Sequence, residues 1–219
     1  MHKVFWDNPY QIKLETTVSS VSGNLVTFGA TIIYSFAGAQ ESDKATVNGI
    51  PILDSKIEGH RIIYTLPDNH GLVPGQTVTM EIDWPRRHRI MRLHFTAELV
   101  LELVTQKWGL TKVGAHISET KARIDFKYDK HISTLFDEIL TEYNEIIKKN
   151  LPIHKDFSDK ENQRRFWKID GFAQVPCGGT HVATTGEVGH VTLKRVLVGK
   201  GVERIEIRLV DDAVPAPTP

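Results

Sequence analysis

The chain has 219 residues, enough for one large domain or two small ones with a full core. Lysine plus arginine and aspartate plus glutamate number 27 each, a balance that argues against a broad electrostatic grip on nucleic acid but leaves room for a local basic patch. A single cysteine, Cys177, excludes an internal disulfide. The absence of an apolar signal core in Met1-His2-Lys3-Val4-Phe5-Trp6-Asp7, or of any membrane-length apolar run, makes the cytosol the expected location.

The first eighty residues read as β. Gln11–Val21, Leu25–Tyr34, Pro51–Glu58, Arg61–Leu66 and Thr77–Ile82 are strand-like, punctuated by turn signals at Gly23-Asn24, Gly49, Gly59, Asp68-Asn69 and Pro74-Gly75. Short strands at this spacing suggest a small barrel or a strongly bent sheet over residues 1–83. The pattern changes at Asp83-Trp84-Pro85, where a capping aspartate and a first-turn proline predict a helix to about Lys107. Ile90, Leu93, His94, Ala97, Leu101 and Val104 form its expected apolar face. A hairpin is expected over Lys112–Glu119 and Lys121–Tyr128, then a helix over Ser133–Lys149 ended by Asn150-Leu151-Pro152. Ser158 or Asp159 is expected to cap a short helix to about Trp167. Ile169–Val175, Gly189–Leu197 and Val202–Leu209 read as strands, and the proline-rich tail 211–219 as disordered. The expected fold is α+β: a barrel-like N-terminal domain (1–83), then a domain (84–210) with helices packed on a mostly antiparallel sheet.

Chemistry concentrates in two pairs. Cys177-Gly178-Gly179-Thr180-His181 sets a thiol and an imidazole four residues apart among glycines, and His94 and Glu98 stand four apart on the first predicted helix. Residues i and i+4 of a helix project from neighbouring turns of one face, so both can address one ion. Either pair alone is weak, since a histidine on an apolar face is more often a core residue and a buried cysteine is usually packing. Together they supply a thiolate, two imidazoles and a carboxylate, a complete four-coordinate zinc set.

The segments Asp170-Gly171-Phe172, Cys177-Gly178-Gly179-Thr180-His181-Val182 and Thr185-Gly186-Glu187-Val188-Gly189 resemble the metal-binding region of the alanyl-tRNA editing proteins, shared with the editing domain of alanyl-tRNA synthetase and more distantly with threonyl-tRNA synthetase. Asp7-Asn8-Pro9-Tyr10, Ile82-Asp83-Trp84 with Arg86-Arg87 and Met91, Arg123-Ile124-Asp125-Phe126 and Gly199-Lys200-Gly201-Val202-Glu203-Arg204-Ile205 agree and keep the family's order over nearly the whole chain. Length and the N-terminal β-domain resemble the medium-length, free-standing members. The resemblance implies zinc-dependent hydrolysis of tRNA(Ala) mischarged with serine, or in some members glycine, because a pocket built for alanine cannot fully exclude close analogues. It places His94, Cys177 and His181 on three zinc-ligand positions.

Two departures accompany it. Where the family's helix carries a second histidine this chain has Glu98, competent either as a fourth zinc ligand or as a general base on water. Where the family has a Gly-Gly-Gln-Pro-like loop over the editing pocket, this chain reads Phe36-Ala37-Gly38-Ala39-Gln40-Glu41-Ser42-Asp43, keeping Gly38, Gln40 and Asp43 but losing a glycine and the proline. Gln40 and the Gly38 backbone are candidates to hold substrate or a developing oxyanion. Thr31 matches a family threonine associated with the serine hydroxyl, and His116 either lines the pocket or fills a strand position. A cysteine nucleophile with His181 as base ranks low, since it leaves His94 and Glu98 unexplained. Candidate phosphate contacts are Arg86, Arg87, Arg89, Arg92, Lys194, Arg195, Lys200 and Arg204. The competing functions are a non-catalytic tRNA-binding protein whose site has drifted and a metallohydrolase for some other ester.

Overall fold

The computed structural model describes residues 1–199 and 201–210. Lys200 and the tail 211–219 lie outside the described residues. Contacts divide the chain into two compact units, Met1–His88 and a second from Arg89 onward. No helix among the described residues is long and apolar enough to cross a membrane. Antiparallel sheets with separate helices make the fold α+β, as the sequence predicts.

In the first unit seven strands form one sheet, in the order Ile50–Pro51, Ala45–Val47, Thr77–Ile82, Lys13–Ser22, Leu25–Phe28, Arg61–Thr65, Asp54–Glu58. The two edge strands are nearly consecutive in sequence. A link from Pro51 to Asp54 reaches at most about 11 Å, so the sheet must curl until its edges meet. Ile52 and Leu53 make the seam: Ile52 N–H donates to Ala45 O at 2.9 Å on one side, and Leu53 N–H donates to Thr65 O at 2.9 Å on the other. A bulge between Val18 and Ser20 bends the central strand, which lets it pair with both halves. Val18, Val26, Phe28, Val47, Ile62, Tyr64, Val78 and Met80 fill the interior.

A polar group is buried in this apolar unit. Arg87, at the start of the helix Trp84–Trp108, donates through Nε to Asp43 Oδ1 (2.8 Å) and through Nη2 to Asp43 Oδ2, with further bonds to Pro9 O (2.9 Å) and Ile32 O (2.6 Å). Asp43 Oδ2 also accepts from Tyr34 N–H at 2.7 Å. The side chains are 0% and 1% exposed, so Arg87 holds the fold together and does not meet phosphate. The helix is capped by Asp83, whose Oδ1 accepts from Arg86 N–H at 3.1 Å.

The helix is not the one-faced amphipath its pattern suggests. Ile90, Met91, Arg92, Leu93, His94, Phe95, Thr96, Ala97, Leu99, Val100, Leu103 and Val104 are all buried, covering most of its circumference. Arg92, a candidate phosphate contact by sequence, is buried too and donates to Val188 O at 3.0 Å.

The second unit contains a four-stranded antiparallel sheet ordered Thr111–Ile117, Ala122–Lys127, Val202–Leu209, Val191–Gly199. Ala122, Ile124, Phe126, Ile205 and Ile207 make its buried face. The expected helix at Ser133–Lys149 is a 3-10 turn, Ile132–Leu135, followed by an α-helix, Phe136–Lys149. The expected short helix after Ser158 is instead a hairpin: His154–Asp159 pairs with Arg164–Ile169, which pairs in turn with Ala173–Pro176. Asp159 does accept from a backbone N–H three residues on, as an N-cap would, but the acceptor closes a turn: Asn162 N–H lies 3.0 Å from Oδ1, and Gln163 takes a left-handed φ of 54°. Beyond the turn Arg165, Trp167 and Ile169 are buried on alternate positions, the period of a strand. Removing the carboxylate of Asp43 leaves a buried guanidinium without its charge partner, so Asp43→Ala is expected to destabilise the protein by about 3–5 kcal/mol in urea denaturation.

Candidate metal centre

Three segments of the second unit converge. The long helix brings His94 and Glu98. The loop after the strand Ala173–Pro176 brings Cys177 and His181. The strand Arg164–Ile169 brings Trp167, and Cys177 N–H is pinned to it by a 2.9 Å bond to Arg165 O. Downstream, the loop is moored by a short helical turn, Thr185–Val188. Thr185 Oγ1 donates to Ile146 O at 2.8 Å and accepts from Leu151 N–H at 2.9 Å. Gly186 leaves room there for Asn150, since a Cβ on it would sit 2.4 Å from Asn150 Oδ1 and force that side chain to move.

The donor atoms of His94, Cys177 and His181 lie within 4.8 Å of one another. Cys177 Sγ is 3.4 Å from His94 Nε2 and 3.3 Å from His181 Nε2. Glu98 Oε1 is 3.3 Å from His94 Nε2 and 3.6 Å from Cys177 Sγ. Zinc bonds of about 2.0–2.3 Å at tetrahedral angles separate neighbouring donors by roughly 3.3–3.7 Å, and these contacts fall in that band. A thiolate and two imidazoles at this spacing fit a divalent metal of borderline softness. Glu98 touches His94 and Cys177 but stands outside the set whose donor atoms all lie within 4.8 Å of one another.

The electrostatics separate the two histidines. Burial lowers the His181 pKa well below its ordinary value, and repulsion from His94, Lys155 and Arg165 lowers it further, so this ring stays neutral and able to ligate. Burial also opposes charge on His94, but the adjacent Cys177 sulfur and the Glu98 carboxylate outweigh it and raise the pKa to about 10. For Glu98, burial favours the neutral acid, and bonds from His94, Trp167 and Cys177 reverse the direction and hold it ionised.

Two supporting residues carry no sequence motif. Trp167, fully buried, donates from Nε1 to Glu98 Oε2 at 3.1 Å, leaving Oε1 for the cluster. Lys155 Nζ bonds the carbonyls of His181 (3.4 Å) and Val182 (3.3 Å). Phe95 packs its ring against both Trp167 and His181, with centroids 5.1 and 5.6 Å apart. The alternation Arg165, Trp167, Ile169 was the signal available for Trp167, hidden by the helical reading of that stretch.

The remaining candidates lie elsewhere in the fold. His116 pairs with Arg123 across the four-stranded sheet, on the face opposite Ile124 and Ile205. Thr31, Gly38 and Gln40 belong to the first unit. Thr31 is fully buried, its Oγ1 2.7 Å from Tyr64 Oη and accepting from Ile33 N–H at 3.0 Å. Tyr64 Oη donates to Ile33 O at 2.9 Å, so the Thr31 proton goes to the tyrosine oxygen. Gly38 and Ala39 are the corners of a tight turn closed by Gln40 N–H to Ala37 O at 3.0 Å, with φ of 56° and 84°. Gln40 is completely buried.

Residues 165–206 match the family described as threonyl and alanyl tRNA synthetase second additional domain. Over 214 residues the chain is 28% identical to the alanyl-tRNA editing protein AlaX-M of Pyrococcus horikoshii, covering 94% of this chain and 97% of that protein. The chain is a homologue of the alanyl-tRNA editing proteins. AlaX-M of Saccharolobus solfataricus is also 28% identical, over 93% of this chain and 96% of its own length. The alanine--tRNA ligase of Methanococcus maripaludis is 26% identical over 93% of this chain, which spans only 25% of that synthetase. The matched segment contains Trp167, Cys177 and His181 of the metal centre, and His94 and Glu98 lie in the part shared with the editing proteins at full length.

The Gly38-Ala39 turn is where this homologue strains its backbone. An L-residue with a Cβ at φ 84° costs about 1–2 kcal/mol, partly offset on mutation by the greater unfolded-state freedom of glycine. Ala39→Gly is therefore expected to stabilise the protein by about 1 kcal/mol, read as a higher urea midpoint with an unchanged slope.

Proposed function

We propose that this protein is a zinc-dependent aminoacyl-tRNA deacylase that hydrolyses the ester of tRNA(Ala) mischarged with serine or glycine. The observation that carries the proposal is the convergence of His94, Cys177 and His181 within 4.8 Å of one another, with Glu98 against two of them, in a homologue of editing proteins. Bound there, zinc supplies Lewis acidity toward an ester oxygen or a water. The protein's share is to hold the donors. Cys177 and His181 sit on a loop pinned at Arg165 O and at Thr185, while His94 and Glu98 stand one helical turn apart. Trp167 fixes the Glu98 carboxylate through Oε2 at 3.1 Å and leaves Oε1 beside His94 and Cys177, where it would serve as a fourth donor or as a base.

The turn at Gly38-Ala39 is proposed to contact the substrate through its backbone. Thr31 is fully buried, with its proton on Tyr64 and a lone pair on Ile33 N–H, so its hydroxyl is committed inside the first unit. We expect cleavage of both Ser-tRNA(Ala) and Gly-tRNA(Ala).

Glu98 also motivates a second reading. Four protein donors describe a closed zinc site, the form typical of structural zinc, and a closed site would suit a tRNA-binding protein without hydrolytic activity. Metal content and single-turnover deacylation separate the two. Wild type is expected to bind one zinc per chain and to release serine from Ser-tRNA(Ala); zinc without release supports the closed, non-catalytic reading. Cys177→Ala and Glu98→Ala are both expected to lower zinc occupancy, and full metal with lost hydrolysis in Glu98→Ala would make Glu98 a base instead of a ligand. Trp167→Phe keeps the packing and removes only the indole donor, so zinc affinity should fall about 10–100-fold in chelator competition.

A further inference from the structure

We infer that the outward face of the four-stranded sheet in the second unit is a docking surface for the phosphodiester backbone of RNA, an inference that rests on the tRNA-directed reading above. The face is set by register. Arg123 pairs with Glu206, which pairs with Lys194; Asp125 pairs with Arg204; and Arg208 pairs with Thr192, so all of these side chains leave the sheet on one side. Lys127 follows at i+2 from Asp125 on the same strand. The other side carries Ala122, Ile124, Phe126, Ile205 and Ile207, all buried.

Five cations thus share the face with two carboxylates, and the carboxylates are sunk beneath them. Asp125 and Glu206 are each 7% exposed. Asp125 is bracketed by the Arg204 guanidinium, with Nε to Oδ1 at 2.6 Å and Nη2 to Oδ2 at 2.9 Å, and by Arg123 Nη1 to Oδ2 at 2.6 Å. Glu206 is held by Lys121. Gly114, which pairs with Asp125 from the outer strand, leaves room for this arrangement, since a Cβ there would meet Asp125 Oδ2 at 3.0 Å. Lys127, Lys194 and Arg208 are exposed and make no ion pair among the described residues. The surface offered to solvent is therefore cationic, in a chain whose formal net charge is zero.

Two features favour a polyanionic backbone over an acidic protein patch. The Asp125 carboxylate orients two guanidinium groups as fixed planar donors, which suits phosphate oxygens, and the pleated strands set the cations in a regular flat array. Both the array and its charge suit a ligand that repeats one anion along its length. His116, opposite Arg123, extends the face toward the outer strand.

The test is fluorescence anisotropy of the full chain with a labelled, uncharged tRNA(Ala) transcript from about 50 to 200 mM KCl. The variant K127Q/K194Q/R208Q is expected to bind at least about tenfold more weakly and to flatten the slope of log Kd against log salt by about 2. K127R/K194R/R208K should keep the wild-type slope, and K13Q/K56Q, which neutralises exposed lysines of the first unit, should leave affinity unchanged. A glutamine variant with native circular dichroism and wild-type affinity and slope would overturn the inference. So would binding to phosphatidylserine vesicles through these residues with no RNA affinity. RNA binding that depends on this face, in a protein that leaves Ser-tRNA(Ala) intact, would sink the deacylase reading alone. Deacylation by the glutamine variant at wild-type KM would sink this inference alone.

Discussion

A helix buried around most of its circumference must find a partner for every polar side chain it carries, and the helix Trp84–Trp108 carries several. Burial of an unpaired polar or charged group costs more than most favourable contacts return, so these positions dictate what packs against them. Arg87 demands Asp43 and two backbone carbonyls, Arg92 demands Val188 O, and Thr96 meets the Tyr143 hydroxyl at 3.3 Å. His94 and Glu98 demand each other, Cys177 and Trp167. The arrangement of loops in both units reads as a set of answers to these demands.

The metal centre follows from the same constraint. An imidazole and a carboxylate on one buried helical face need compensation, and a loop delivering a thiol and a second imidazole supplies it only if the loop is immobile. Its anchors at Arg165 O, Ile146 O, Leu151 N–H and Asn150 account for Thr185 and Gly186 but not for Gly178, beside which there is open space. Glu98 brings a second requirement to that cluster: one carboxylate oxygen meets His94 and Cys177, and the other takes a dedicated donor, the Trp167 indole.

Much of this was legible in the sequence. Most strands of the first unit, the two long helices and the C-terminal hairpin follow from period and punctuation, while Ala45–Val47 is missed and the strand expected over Pro51–Glu58 divides at residues 52–53. The clustering of His94, Cys177 and His181 follows from residue type and i,i+4 spacing. The failures have physical causes. Asp159 satisfies a backbone N–H three residues on, as a helix cap does, and the sequence carries no mark that this closes a hairpin turn; the buried alternation beyond it was the better signal. Arg87 and Arg92 look like surface cations because nothing local announces the distant acceptors at Asp43 and Val188. Trp167 has no motif, and its role appears only when a strand and a helix meet. The cationic sheet face was equally hidden, since it depends on cross-strand register among residues some eighty positions apart.

The seam at Ile52 and Leu53 has a consequence for how the molecule behaves among its own copies. An open β-sheet ends in rows of unsatisfied amides and carbonyls, which invite another chain to add a strand and begin aggregation. Neighbouring residues that bond to opposite ends of one sheet draw those ends together but leave the outer side of Asp54–Glu58 without a strand partner among the described residues, where exposed Lys56 and Glu58 discourage an added strand.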